Sequence, residues 1–580
     1  MADSPAATSP TLVAKQTNVR RPRWDRDHPR YKWVALSNTT LGMLLAMINS
    51  SIVLISLPAI FRGIGLNPLA PANIGYLLWM LMGYLVVTAV LVVFVGRLGD
   101  MFGRVRIYNA GFAVFTVAAI ALSFDPFPLT GGAVWLIGWR VIQGVGGAIL
   151  MALSAAILTD AFPSNQRGMA LGFNMVAAVA GSFLGLLFGG LLSEWDWRAI
   201  FWVGVPVGVL GTVWGMRSLH ELGVRTPGPL DWPGTVTFGV GLTVVLVGIT
   251  YGIQPYGGHP TGWTNPWVLG SIAFGLLLLI VFCFIELRAP QPMVNVRLFR
   301  SAGFGMGNLA NLMSSSGRGG LQFMLIIWLQ GIWLPLHGYR FESTPLWAGI
   351  YMLPTTIGFL IAAPVAGWLA DRFGARPFAV AGMLLMAVTF IGLLMIPVNF
   401  DYRVFALLIF LNALGGGLFA APNTAVIMSS VPPRDRGAAS GVRSTFFNAG
   451  SALSIGVFFS LMVVGLAGTL PHALSSGLQQ QGVPAAVAQD AAALPPVGSL
   501  FAAFLGYNPI AELLAPSHAL QQPGVNAATL TGKSFFPELI SGPFHAGLVV
   551  VFVAAALMMV TGALASLVNP GRYADDVEEI

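Results

Sequence analysis

Charge is what this 580-residue sequence has little of: Asp, Glu, Lys and Arg make up 9% of it, against 56% hydrophobic residues. Soluble domains carry roughly 25% charged residues, so the composition excludes an ordinary soluble enzyme or binding module and leaves a polytopic membrane protein. Cysteine is nearly absent as well. The single Cys283 cannot close an intrachain disulfide, and within "LLLLIVFCFIEL" it reads as a small buried hydrophobe. Catalytic signatures are missing: there is no H-E-x-x-H, no serine-nucleophile motif and no pair of carboxylates inside an apolar run. His472, His518 and His545 are too far apart to have ligand spacing, so neither a metal nor another cofactor is expected. The net charge of +7 is scattered between apolar segments, not gathered on one face, so nucleic acid is not an expected partner.

Apolar runs are what is there. A membrane helix needs about 20 mainly apolar residues, and fourteen stretches meet that length, from Trp33–Ile60 through Phe304–Trp333 to Ala546–Val568. The expected layout is a basic tail (1–32), a six-helix unit (33–218) and a linker carrying spans 7 and 8 (219–300). A second six-helix unit (301–568) follows, with a long loop (468–544) before the last span, and then an acidic tail (569–580). The basic tail leads straight into a full-length span and lacks the short apolar core of a cleavable signal. With both termini placed in the cytoplasm, 21 of the 29 Lys and Arg residues fall on the inner side. That bias follows the positive-inside rule and predicts a multi-pass protein of the cell membrane. The long loop, rich in Ala, Gln, Pro and Ser, is either a set of short helices on the outer face or a loosely ordered linker.

The two six-helix units repeat one another. "GRLGDMFGRVR" after span 2 returns as "GWLADRFGARP" after span 10, pairing Gly96 with Gly367, Asp100 with Asp371 and Gly103 with Gly374 at a spacing of 271. "GVGGAILMALSAAILTDAFPSNQRGMALG" returns without gaps as "ALGGGLFAAPNTAVIMSSVPPRDRGAASG" at a spacing of 269. Two segments in the same order at nearly one offset predict an all-α protein of two pseudo-symmetric six-helix halves plus an inserted hairpin. Halves arranged around a midplane cavity are the plan of a secondary transporter.

These motifs resemble the major facilitator superfamily, in its fourteen-span drug:proton antiporter branch. "GRLGDMFGRVR" is similar to the signature of the family's loop between spans 2 and 3, and "RVIQGVGGAIL", Arg140 to Leu150, to its span 4 signature. "DWPG" at Asp231, "RLFR" at Arg297 and "AGIYMLP" at Ala348 are similar to branch landmarks. The resemblance implies a carrier that exports amphipathic, drug-like or lipid-like compounds by alternating access, with protons as the coupled partner. It also implies a cytoplasmic gate at Gly96, Asp100, Gly103, Arg104, Arg106, Asp371 and Gly374, and a coupling role for Asp100 and Arg140. The sequence departs from the family pattern in two places. Asn49 in "MINSSIVLISLPAI" stands where the span 1 signature has Asp, and Leu186 stands where the span 5 signature has Pro.

The residues themselves supply the rest. No Asp or Glu falls in the middle of any span, and an amide such as Asn49 cannot take up and release a proton, although it donates and accepts hydrogen bonds. An uncoupled or anion-linked carrier is therefore a second expectation beside antiport. A lipid-binding sensor or membrane enzyme is a third, of another class. Arg140 and Arg318 lie deep in spans, where a cation marks a pathway unless it is paired. The expected cavity is lined by Asn49, Trp79, Tyr84, Gln143, Arg318, Gln322, Trp328 and Asn423. Gly181, Gly185 and Gly189, four apart on span 5, predict a close helix contact.

Overall fold

The computed structural model describes residues 30–67, 71–163, 166–223, 231–289, 292, 294–432 and 436–568. Most of the basic tail, linker residues 224–230 and the acidic tail lie outside the described residues. Fourteen helices are long and apolar enough to cross a membrane. Spans 1–6 are Tyr31–Ile64, Asn73–Phe102, Arg104–Ser123, Leu129–Ala161, Met169–Trp195 and Ala199–Ser218, followed by spans 7 and 8 at Trp232–Tyr251 and Pro266–Arg288. Spans 9–14 are Ala302–Leu336, Thr344–Ala370, Ala375–Met395, Tyr402–Ser429, Ala438–Ala467 and Phe535–Val568. Each covers an expected apolar run, because a bilayer leaves a backbone no partner but its own helix. With fourteen crossings, residues 31 and 568 share one face, here termed the tail face. The opposite side is the cap face.

The internal repeat is also a repeat of contacts. Spans 3 and 4 meet where Gly146 has no room for a side chain: a Cβ there would stand 2.9 Å from the Gly111 carbonyl oxygen. Spans 11 and 12 meet in the same way, with a Gly415 Cβ position 2.7 Å from the Gly382 oxygen. Gly111 and Gly382 are partners at the 271 spacing, Gly146 and Gly415 at 269. The duplicated sequence therefore builds the same backbone approach twice. Gly103 and Gly374, another repeated pair, turn the chain after spans 2 and 10 at φ 105° and 87°, a region closed to most side chains. Spans 7 and 8 form the inserted hairpin, with Gly241 and Gly275 face to face. Cys283 on span 8 is exposed at the molecular surface, where lipid would lie, and is not buried in protein as its setting suggested.

The long loop is ordered as a cap over one end of the bundle. It contains helices at Leu470–Gln480, Ala485–Ala492, Pro496–Phe504 and Ile510–Leu514. Pro496–Phe504 is driven inward, with Leu500, Phe501, Ala502, Ala503 and Phe504 all buried and Phe501 stacked on Phe459 of span 13 at 4.7 Å. Its docking point is a π-helical turn in span 9, Trp328–Trp333. There the backbone of Ala503 and Phe504 comes within 3.3 Å of the place a Cβ of Gly331 would take. The cap also reaches the other half, where Asn67 donates to Glu512 at 2.9 Å.

The glycine ladder of span 5 lies on span 1. Cβ positions of Gly181, Gly185 and Gly189 fall 2.7, 2.4 and 2.8 Å from the carbonyl oxygens of Leu44, Ile48 and Ile52, one rung per turn. Gly185→Ala is expected to destabilise the protein by about 1–3 kcal/mol, because backbone must move to admit the methyl. Gly172→Ala on the same helix has open space and should stabilise it slightly, by about 0.5–1 kcal/mol. Thermal unfolding of both variants in detergent measures the difference.

Candidate functional site: gate, buried arginines and the junction of the halves

At the tail face, the Gly103 turn places Arg104 at the start of span 3 over the end of span 2. Its Nε and Nη2 donate to Asp100 at 2.9 and 2.8 Å, and its Nη1 reaches Asp160 of span 4 at 2.6 Å. Glu221, just past span 6, accepts from the backbone N–H groups of Arg104 at 2.7 Å and Val105 at 3.2 Å and so closes the bare amino end of span 3. The first-half residues expected to form a gate are thus tied together across spans 2, 3, 4 and the end of span 6. Arg106 is exposed and makes no ion pair among the described residues. Gly96 has open space before it. In the second half Gly374 repeats the turn, while the side chain of Asp371 lies outside the described residues.

Arg140 is buried in the first half, against spans 1, 2 and 4. Its Nη1 donates to Asn49 Oδ1 in a short contact and to Gln143 Oε1 at 2.9 Å. Longer contacts of 3.4 Å run to the Asn49 and Met80 carbonyl oxygens. The guanidinium lies over the Tyr84 ring at 4.6 Å, and the Tyr84 hydroxyl donates to the Ala46 oxygen at 3.0 Å. Every acceptor is neutral. Asp100 is far away: it follows Met80 by twenty residues on the same helix, about 30 Å at the helical rise. The structure therefore separates the two expected coupling residues while joining Arg140 to Asn49, Tyr84 and Gln143.

The second half holds all but Trp79 of the other expected lining residues. Arg318 lies over the rings of Phe359 and Phe447 at 4.9 and 5.6 Å. Gln322, one turn on, and Trp79 in the first half are half-buried. Asn423 cross-links spans 12 and 9 by donating to the Gly307 oxygen at 3.0 Å. Trp328 is packed among Phe400, Phe405, Phe544 and Phe552 and donates to the Val398 oxygen at 3.0 Å, which places it inside the second half and away from the junction.

The halves close on each other near the cap face. Gly190 at the end of span 5 lies against the backbone of Leu346 at the start of span 10, where a Cβ would come within 2.4 Å. Gly349 faces the Leu186 carbonyl in the same seam, so Leu186 is part of a contact between the halves. Gln330 of the π turn donates across to the Ile55 oxygen at 3.2 Å. Among the described residues, the two side-chain hydrogen bonds that cross between the halves are this one and Asn67 to Glu512, both near the cap face. Asp160, Glu221 and Gln330 were not singled out from sequence. Asp160 has Ser429 as its repeat partner, so the repeat carries no charge signal there.

The family model of the Major Facilitator Superfamily matches residues 39–284, 232–455 and 309–574. The chain is 28% identical over 542 residues to the tetracenomycin C resistance and export protein of Streptomyces glaucescens, covering 92% of this chain and 91% of that one. It is 31% identical over 439 residues to the cephamycin export protein CmcT of Amycolatopsis lactamdurans, covering 74% and 85%. Among solved structures, a bacterial homologue of the human lysosomal transporter Spinster, crystallised inward-facing and unoccupied, superposes with a TM-score of 0.56 at 16% identity. The match covers 93% of this chain and 98% of that one.

The Glu221 cap at the start of span 3 has a measurable signature. Glu221→Ala should lower stability by about 1 kcal/mol, the usual cost of losing a helix amino-terminal cap. Arg106→Ala, with no ion pair to lose among the described residues, should leave it unchanged. The midpoint of thermal unfolding separates the two.

Proposed function

The chain belongs to the Major Facilitator Superfamily, in its fourteen-span multidrug-efflux branch, and on that premise we propose that it exports small amphipathic organic compounds across the cell membrane by alternating access. The tail face is the cytoplasmic side, as the distribution of Lys and Arg favours. One observation carries the reading: the seam between the halves is closed near the cap face through Gly190, Leu346, Gly349 and Gln330, whereas Arg318 and Arg443 within the bundle still meet solvent. This contrast favours a carrier that loads from the tail face. Release then requires the seam to part and the tail-face ends to approach, a rocking of two halves about the buried site.

A second reading concerns the energy source. Proton antiport is the family default, and Asp100 with Arg104 is the carboxylate available to it. Arg140, however, is satisfied by Asn49 without any carboxylate, which favours uncoupled or anion-linked movement. A lipid-binding sensor or membrane enzyme remains the reading of another class. Counterflow of labelled compound in liposomes separates it from a carrier, since a sensor binds without moving its ligand.

The test is a compound panel in proteoliposomes, with and without a pH gradient, beginning with tetracenomycin C and a cephamycin because two relatives bear those names. Outward movement of at least one compound is expected, and movement of none defeats the carrier reading. Unchanged vesicle acidification on adding a transported compound defeats antiport. Asn49→Asp places a carboxylate on Arg140. Transport by this variant is expected to acquire a pH dependence that the native protein lacks; an unaltered pH profile would return the coupling role to Asp100.

A further inference from the structure

The interior of the second half holds hydrogen-bond donors for which the described residues supply no acceptor. Arg318 on span 9 is ringed by Gly416 of span 12, Phe359 of span 10 and Phe447 of span 13, and makes no hydrogen bond or ion pair among the described residues. Arg443 stands one turn before Phe447 on span 13, and its Nε is buried without a partner. Asn311 donates to the Arg443 carbonyl at 2.9 Å, which sets Arg443 level with a residue two turns before Arg318 on span 9. The two guanidinium-bearing residues are therefore in file, about 10 Å apart along the bundle axis. Both are surrounded by protein yet not fully closed to solvent, so they face an internal space and not lipid.

A guanidinium carries five donors and no acceptor. Held inside a membrane protein without a counter-ion, it is costly, and aromatic faces offset only part of that cost. Arg140 resolves the same problem internally, through Asn49, Gln143 and Met80. Arg318 and Arg443 do not, and no Asp or Glu lies within spans 9–14 away from their ends. Acceptors and negative charge must then come with the ligand.

We infer that Arg318 and Arg443 bind the acid group of the transported compound, a carboxylate, sulfonate or phosphate carried on an apolar body that rests against Phe359 and Phe447. The inference rests on the carrier reading above and specifies its cargo: amphipathic acids, in preference to neutral or cationic amphipaths of the same shape.

A matched pair of probes tests it: 5-(dimethylamino)naphthalene-1-sulfonate, an anion, and the corresponding sulfonamide, which is neutral. Binding of each to the full chain is measured by fluorescence in phosphatidylcholine nanodiscs. The sulfonate should bind about tenfold more tightly or better, the range of a hydrogen bond to a charged group. Arg318→Gln should weaken sulfonate binding about tenfold more than sulfonamide binding and so erase the preference, and Arg318→Lys should keep part of it. Arg443→Gln provides a second, independent loss if Arg318→Gln does not fold. Equal binding of the two probes, or a preference that survives both glutamine variants, overturns the inference. A second arm adds phosphatidylglycerol to the nanodiscs. Displacement of the sulfonate assigns the acid group to a lipid headgroup, and no displacement assigns it to a soluble acid, both within the proposed chemistry. Transport in liposomes separates the two layers. Sulfonamide moving while sulfonate does not would sink the anion site and keep the carrier, whereas sulfonate binding with no probe transported would keep the site and sink the carrier.

Discussion

A guanidinium inside a membrane protein must be given acceptors by the protein or by its ligand, since the bilayer supplies none. Arg140 shows how much structure that requirement commits. Its contacts run to Asn49 on span 1, Met80 on span 2 and Gln143 on its own span 4, with the Tyr84 ring beneath. Spans 1, 2 and 4 are thereby held at one depth and one rotation. Span 5 then lies on span 1 through the Gly181, Gly185 and Gly189 rungs, and its far end carries Leu186 and Gly190 into the seam with span 10. A polar requirement at the centre of the first half is in this way connected, by backbone contacts that admit no side chain, to the surface on which the two halves meet.

The spans and the duplication were legible because each rests on a property visible along the chain: about 20 apolar residues in one case, a fixed offset in the other. The glycine pairs Gly111 with Gly146 and Gly382 with Gly415 extend that legibility to packing, since partners in the repeat became partners in space. What stayed hidden depends on contacts between distant segments. Glu221 caps a helix that begins 117 positions earlier, and nothing local to Glu221 announces this. Trp328 sits in a span between Gln322 and Gln330, yet the aromatic residues that enclose it come from the segments around spans 12 and 14. Composition made the long loop as compatible with a linker as with a cap. The fold decided through Gly331, whose missing side chain admits the backbone of Ala503 and Phe504.

The cap changes what the seam has to do. Phe501 rests on Phe459 of span 13 and the Ala503 backbone on the π turn of span 9, while Asn67 ties Glu512 to the end of span 1. The cap therefore grips both halves on the side where they touch. A π turn is a backbone irregularity that persists where a function or a close contact maintains it, and here the same six residues supply Gln330 to the first half and Gly331 to the cap. Any motion that parts the halves at this face has to work on that turn, because seam and cap are anchored to consecutive residues.

The two kinds of buried arginine then describe one design in charge. The first half answers its cation with neutral acceptors fixed in place, so it has no need of a counter-ion that comes and goes. The second half leaves its cations open to a space between helices, so occupancy of that space by an acid would complete the structure electrically. On the proposed orientation, an anion leaving the cytoplasm moves with an inside-negative membrane potential, a gain of about 2.3 kcal/mol per charge for each 100 mV. That gain is comparable to a tenfold to hundredfold concentration ratio. A carrier for amphipathic acids could therefore export them without a proton-binding carboxylate in its core, and the amide at Asn49 is consistent with a protein that draws on the charge of its cargo.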